Sequence, residues 1–416
     1  MTQVFSDDRK RVFLNPEGAD KPLKSPVKAE VLAAARAYRL GRFRRQMDQD
    51  GVGALLLYDP INIRYAFDCS NMQIWTGHNP MRYALILADG PAVMFEFKGC
   101  EHLSDWLPGI DEVRTAIGWM FMAFGQSADD QVEDWADEIA ALMREHVAGN
   151  MRLAADRLDL PGVAALRARQ IDVLEGGRLT EMARSVKSAD EIELMRWTIR
   201  VAEAGMARIA EHSVPGVTER ELWAHLHFEN ARSGGDWLET KLLTAGPRTN
   251  PWYQECSDRE VGLGEMISFD TDMIGPYGYC ADISRSWTCG GTPMSDLQRR
   301  NYARAMEQIN HNLALLVPGL SFAEFNAKSW RIPVENQPYR YSLALHGVGM
   351  ADEWPVVPLH VDWSGRVTKG AFEVGQVVCV ESLMAEAGSE SIKLETQVLI
   401  TETGAERLDT FPWEEV

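Results

Sequence analysis

The sequence predicts an α+β protein in two parts: a smaller α/β domain over residues 1–185 and a larger α+β catalytic domain over 186–416. Three observations carry that reading. The N-terminal half alternates apolar, strand-like runs with helical stretches. At the junction, Ser188 and Glu191 form an S-x-x-E capping box that opens a long helix. Beyond Gly234-Gly235 the pattern turns to strands interrupted by helices, and such mixed runs within one domain mark the α+β class. A length of 416 residues is long for one core and suits two domains.

Residues 1–30 are polar and rich in Pro and Lys, and read as an extended arm. A helix is expected from Ala29 to Met47, then an apolar strand, GALLLYD, at 53–59. YALILAD (83–89) and AVMFEF (92–97) flank the turn signal DGP and read as a hairpin. Residues 127–146 look helical, and a strand-then-helix alternation continues to about residue 180. In the helix after Ser188, Ile192, Met195, Ile199, Ala202 and Met206 recur at helical spacing. A second helix is expected from Glu219 to Arg232. The segments TKLLTAG, EMISFDTDMIG and YCADISRSWTCG then read as strands, followed by a helix from Ser295 to Leu316 and strands at 376–383 and 392–401.

Composition excludes several partners. A formal net charge of −19 repels phosphate backbones and anionic membrane surfaces, so neither nucleic acid nor membrane is expected as a partner. No apolar run approaches the length that spans a bilayer, and the N-terminus carries no apolar signal core. The cysteines at 69, 100, 256, 280, 289 and 379 form no CxxC pair, which fits reduced thiols in a cytoplasmic protein. The glycines of GGDW and TCGGTP lack the lysine or spacing of a nucleotide loop.

Chemistry concentrates in the C-terminal part. Asp270 and Asp272 (FDTD), Asp282 (CADISRSW), His346 (LHGVGM), Glu381 (VCVES) and Glu395 (KLETQVLIT) form a candidate ligand set for two metal ions. Asp270 and Asp272 lie two apart on an expected strand, where alternation puts both side chains on one face. The next strand brings back Asp282, and Glu381 and Glu395 lie on two further strands joined by a Gly-Ser turn. So many carboxylates at one point repel unless cations neutralise them. Oxygen-rich ligation with one imidazole favours Mn, Fe, Co or Zn over a thiolate-type structural zinc site. A lone acid reads more simply as a solvated surface group; six residues in this order do not. His225 and His227 lie two apart on a helix, face different ways and read as structural.

The order Asp, Asp, His, Glu, Glu, with ADISRSW, HGVGM and LETQVLITETG, resembles the pita-bread family of creatinase, prolidase, aminopeptidase P and methionine aminopeptidase over about residues 185–405. The resemblance implies a pita-bread catalytic domain preceded by a creatinase-like N-terminal domain. Two departures stand out. Peptidases of this family keep a histidine in a phrase like PHY, where this chain has PWY with Trp252. They keep another seven residues after the ligand histidine, where this chain has Glu353 beside Asp352. Asp270 and Asp282 are twelve apart rather than the usual eleven; Asp272 joins as a sixth ligand, and either Asp270 or Asp272 fits the bridging position.

This combination resembles one offshoot, the DddP-type dimethylsulfoniopropionate lyases, through FDTDMIGPYGYCADISRSW, YSLALHGVGMADEWP and VCVESLM. That resemblance implies a homodimer with iron at a binuclear site, cleaving dimethylsulfoniopropionate to dimethyl sulfide and acrylate. It implies Asp352 as general base, and Tyr341 and Trp75 as substrate-pocket residues. The chemistry is consistent with the residues. The substrate carboxylate could bind such cations, which would acidify the α-proton for Asp352 to remove. The sulfonium has no hydrogen to donate and needs aromatic faces, for which Trp252, Trp354 and Trp75 are candidates, each with a plain packing role as its alternative. His78, close to Trp75, is a further pocket candidate. Competing readings are a prolidase or aminopeptidase P-like hydrolase, a creatinase-like hydrolase of another small cationic carboxylate, and a non-catalytic binding protein.

Overall fold

The computed structural model describes residues 23–363 and 369–414, so most of the expected N-terminal arm lies outside the described residues. The chain divides into two compact units, Ala29–Arg184 and Ser185–Val416, with residues 23–28 grouped with the second.

The first unit opens with the helix Ala29–Asp50. Its sheet contains β1 (Ala54–Leu57), β2 (Tyr83–Leu87), β3 (Ala92–Glu96), β4 (Glu112–Thr115), β5 (Arg152–Ala155) and β6 (Asp172–Glu175), in the order β4-β3-β2-β1-β5-β6. β2 and β3 form the expected antiparallel hairpin, whereas β1 runs parallel to β5. Every residue of β1, β2 and β3 is buried, as it must be in a sheet covered on both faces. The helix Ala128–His146 packs Val132, Trp135, Ile139 and Met143 into the same core as Leu56, Leu85 and Phe95. The helix Pro60–Phe67 was not expected from the sequence. Asp59 accepts a hydrogen bond from the Ile61 amide (2.8 Å) and proline stands in the first turn, both favourable helix-start features.

The second unit begins with the helix Ala189–His212, where both halves of the Ser188–Glu191 capping box are formed (2.9 and 3.2 Å). Thr218 and Glu221 cap the helix Glu219–Arg232 in the same way. Short strands follow: β7 (Trp237–Leu238), β8 (Leu243–Ala245), β9 (Met266–Asp270), β10 (Met273–Ile274), β11 (Cys280–Ala281) and β12 (Ser284–Thr288). They form two three-stranded sheets, β11-β10-β7 and β12-β9-β8. After the helix Asp296–Leu315 come β13 (Leu343–Val348), β14 (Asp352–Pro358), β15 (Val377–Met384), β16 (Ile392–Thr401) and β17 (Gly404–Arg407). These make one antiparallel sheet, β14-β13-β15-β16-β17, on which Tyr302, Ile309, Phe322 and Phe325 pack. Within the described residues, no helix is long and apolar enough to cross a membrane, and all six cysteines are free thiols.

His225 lies on the helix Glu219–Arg232 and stacks on His212 at 3.9 Å between ring centroids. Burial, then His212 and Arg208, push its pKa down to about 4, against an opposing pull from Glu221. Its ordinary value is about 6.5, so the unfolded chain binds the extra proton between about pH 6.5 and 4 and the fold loses stability as pH falls through that window. Urea denaturation should show His225→Gln losing less stability than the wild type from pH 6.5 to pH 4. Equal losses would contradict the assignment.

Candidate metal centre

Three of the proposed ligands come from the five-stranded sheet. Glu381 on β15 is directly opposite Glu395 on β16, and His346 on the neighbouring β13 pairs with Cys379, two residues before Glu381. Asp282 leads into β12, and Asp270 ends β9 opposite Ser284. Asp272 arrives differently from the sequence expectation. The strand stops at Asp270, and Asp272 takes a left-handed backbone (φ 36°) between β9 and β10. A turn of the chain, rather than strand alternation, brings the two acids together; aspartate is among the residues that tolerate this region.

Oxygens of Asp270, Asp272 and Asp282 lie within 4.8 Å of one another, as do ligand atoms of Asp282, His346, Cys379 and Glu395. His346 Nε2 is 3.3 Å from Asp282 Oδ2, 3.3 Å from Glu381 Oε1 and 3.4 Å from Glu395 Oε1. Its other nitrogen, Nδ1, is 3.0 Å from the Gly347 carbonyl, a contact that suits a proton on Nδ1 and would leave Nε2 to a bound cation.

The electrostatics state the cost of this gathering. Burial, then neighbouring carboxylates, hold the Asp272 and Asp282 pKa values well above the usual range. Burial and Glu395 raise Asp270, and push Glu381 up to about 7. Burial alone would lower His346, but Asp282, Glu381 and Glu395 outweigh it and hold it well above its ordinary value. Asp270 Oδ1, Asp282 Oδ1 and Glu395 Oε1 are buried without a hydrogen-bond donor. Divalent cations satisfy all these conditions together: they fill acceptor oxygens and offset the repulsion. The donor set therefore fits a metal centre.

Two neighbours were missed from the sequence. Lys393 is fully buried, and its Nζ donates to Glu381 Oε2 (2.7 Å), Ser284 Oγ (2.8 Å) and Glu395 Oε2 (3.0 Å), and pairs with Asp270 Oδ2 (2.9 Å). It holds Glu395 well below the usual carboxylate range, against the opposing effect of burial. The signal was alternation: Lys393 and Glu395 share one face of β16. Cys379, two before Glu381, donates to the Asp282 carbonyl (3.5 Å), and burial holds it as a thiol.

Asp352 begins β14 with Oδ1 3.6 Å from His346 Nδ1. Its side chain is 65% exposed, yet the wall around it desolvates the carboxyl enough to raise its pKa, with His346 opposing and Glu395 adding. Trp252 and Tyr341 pack together with Leu242 and Leu383, and the Lys393 ammonium lies 6.0 and 5.0 Å from their rings. Burial, then Glu381, raise the Tyr341 pKa. Trp354 joins the hydrophobic core, its ring edge-on to Phe322 at 5.2 Å. Trp75 belongs to the first unit, on the short helix Gln73–His78, with its ring 5.4 Å from that of Phe97.

Comparison with known proteins narrows the chemistry. Residues 193–402 match the model of metallopeptidase family M24. The chain is 41% identical over 396 residues to the dimethylsulfoniopropionate lyase DddP of Roseovarius nubinhibens, covering 92% of this chain and 87% of that protein. The dimethylsulfoniopropionate lyase DddP of Roseobacter denitrificans matches with the same identity and coverage. Among solved structures, the prolidase from Pyrococcus horikoshii OT3 superposes with a TM-score of 0.73 at 19% identity, covering 91% of this chain and 99% of that one.

Proposed function

This chain belongs to metallopeptidase family M24 and has its pita-bread fold, and on that premise we propose that it is a metal-dependent carbon–sulfur lyase cleaving dimethylsulfoniopropionate to dimethyl sulfide and acrylate. One observation carries the proposal. Asp270, Asp272, Asp282, His346 and Glu395 fall in two overlapping clusters of possible ligand atoms and Glu381 Oε1 lies 3.3 Å from His346 Nε2, while the two positions at which the resemblance expects peptidase imidazoles hold Trp252 and Glu353. Glu353 in turn is drawn into a buried ion pair with Lys187 (2.7 Å). The identity with the two named lyases supports the same reading.

Asp270, Asp272, Asp282, His346, Glu381 and Glu395 would hold two divalent ions, with iron the first choice and Mn, Zn or Co also accommodated by these donors. When bound, the ions supply Lewis acidity to the substrate carboxylate, which makes the adjacent α-proton more acidic. Asp352 takes that proton. The electrons of the broken C–H bond form the C=C bond of acrylate, the Cβ–S bond breaks, and its electron pair leaves on neutral dimethyl sulfide. Trp252, farther from the Lys393 ammonium than Tyr341, offers the better face for the sulfonium, an attraction of about 0.5–2 kcal/mol. Tyr341 orients the substrate; Trp75, on the first unit, is kept only as the substrate-pocket candidate that the resemblance to the lyases implies. Trp354, edge-on to Phe322 within the core, is better assigned to packing. The proposal includes a homodimer, supported by Trp106, Phe121 and Met122 standing 67, 70 and 72% exposed on the first unit. It also includes a cytoplasmic setting, in keeping with six free thiols.

The test is headspace dimethyl sulfide from purified protein given dimethylsulfoniopropionate with iron, manganese or zinc, with and without a chelator. Gas that the chelator abolishes is expected. Silence with every metal, or hydrolysis of proline dipeptides at ordinary peptidase rates, would overturn the reading in favour of the prolidase-like or creatinase-like alternatives.

A further inference from the structure

Adjacent acids at the start of β14 have opposite fates. Asp352 faces the ligand cluster with a side chain 65% exposed, whereas the Glu353 side chain is 1% exposed. Glu353 Oε2 meets Lys187 Nζ at 2.7 Å, itself only 2% exposed, and Glu353 Oε1 accepts the Met350 amide at 3.2 Å. Lys187 is held in turn. Its amide donates to the Gly375 carbonyl (2.8 Å), Val186 bridges Gln376, and Ser188 begins the capped helix. The turn between His346 and Asp352 is shaped around this carboxylate. A Cβ on Gly349 would stand 2.4 Å from Glu353 Oε1, and one on Gly347 would stand 2.5 Å from the Trp354 carbonyl. Within the turn the Gly349 amide donates to Ala351 O (3.0 Å), and Gly349 O accepts the Cys280 amide (2.7 Å).

We propose that Lys187 and Glu353 are positioning residues for the reaction: their buried ion pair clamps the 349–352 turn and so aims Asp352 at His346 and the substrate. The inference rests on the reading of Asp352 as the base. It also gives a role to the departure at position 353: a carboxylate there turns inward and anchors the strand that presents its neighbour. Two charges this deep persist only as a pair, because removing one leaves the other uncompensated.

The test uses the metal-loaded full chain as wild type, Glu353→Gln, Lys187→Met and the double variant. Misplacing a catalytic group by about 1 Å costs on the order of 100-fold. Glu353→Gln, nearly the same shape, should keep its metal content and its KM within about twofold while kcat falls on the order of 10- to 100-fold. Lys187→Met should lose melting temperature as well, and the double variant should regain melting temperature but not kcat. A kcat that recovers along with melting temperature would show a merely structural pair and overturn the proposal, as would wild-type kcat in fully loaded Glu353→Gln. Amide hydrogen exchange judges the clamp without substrate: faster exchange over 349–352 in Glu353→Gln supports it, and unchanged exchange overturns it. A wild type that releases no dimethyl sulfide would instead sink the functional reading on which the proposal rests.

Discussion

Replacing Glu395 is expected to remove both metal and activity. Its Oε1 lies 3.4 Å from His346 Nε2 without a hydrogen-bond donor, and its Oε2 takes the Lys393 ammonium (3.0 Å) and the Ser284 hydroxyl (2.8 Å). The residue lies between the imidazole side of the centre and the aspartates at the end of β9 and just before β12. Glu395→Ala removes a buried anion from beneath a buried cation, at a cost of about 3–5 kcal/mol by analogy with other broken buried pairs. Glu395→Gln separates folding from ligation: it keeps the shape but carries a neutral amide where a charged oxygen is needed. The amide variant should stay folded by circular dichroism, bind well under the wild-type metal complement by elemental analysis, and release no measurable dimethyl sulfide. Full metal content with full gas release would refute the ligand assignment.

Asp352→Asn is expected to behave in the opposite way with respect to metal. The amide fits the same space at the edge of β14 and touches none of the carboxylates that cluster about His346 Nε2, so metal content should be unchanged. It cannot accept a proton at working pH, and loss of a positioned general base typically costs about 10²–10⁴-fold. Single-turnover and steady-state assays should therefore show kcat falling by that order, with KM little changed. A variant that kept more than about a tenth of wild-type kcat would hand the base role to another residue.

How much of this was legible in the sequence depends on how local the signal was. The helix Ala189–His212 could be read because its start signal, Ser188 with Glu191, and its apolar spacing both lie within the segment. β15 and β16 could be read because their apolar runs are long, and Glu381 and Glu395 then met across one register. β13 and β14 escaped because Gly347 and Gly349 look like loop residues. They serve in a strand and its turn because Glu353 and the Trp354 carbonyl crowd in, a fact of tertiary structure. Asp270 and Asp272 lie close together by a route other than strand alternation, since a left-handed residue replaced the expected strand. Lys393 was passed over because lysine on a strand usually reads as a solvent face. Only folding puts it among Asp270, Glu381 and Glu395. Nor could the sequence say which of Asp352 and Glu353 would point outward, because that choice is made by Lys187, 166 positions away.

The buried ammonium of Lys393 has a preparative consequence. The chain supplies an internal counter-charge to three carboxylates of the candidate centre, so part of the repulsion that would otherwise pry β9, β15 and β16 apart is met without help from solution. Apoprotein should then be a workable reagent: one batch, dialysed bare, can be titrated with each candidate ion in turn, and the preferred metal identified by side-by-side comparison within a single preparation.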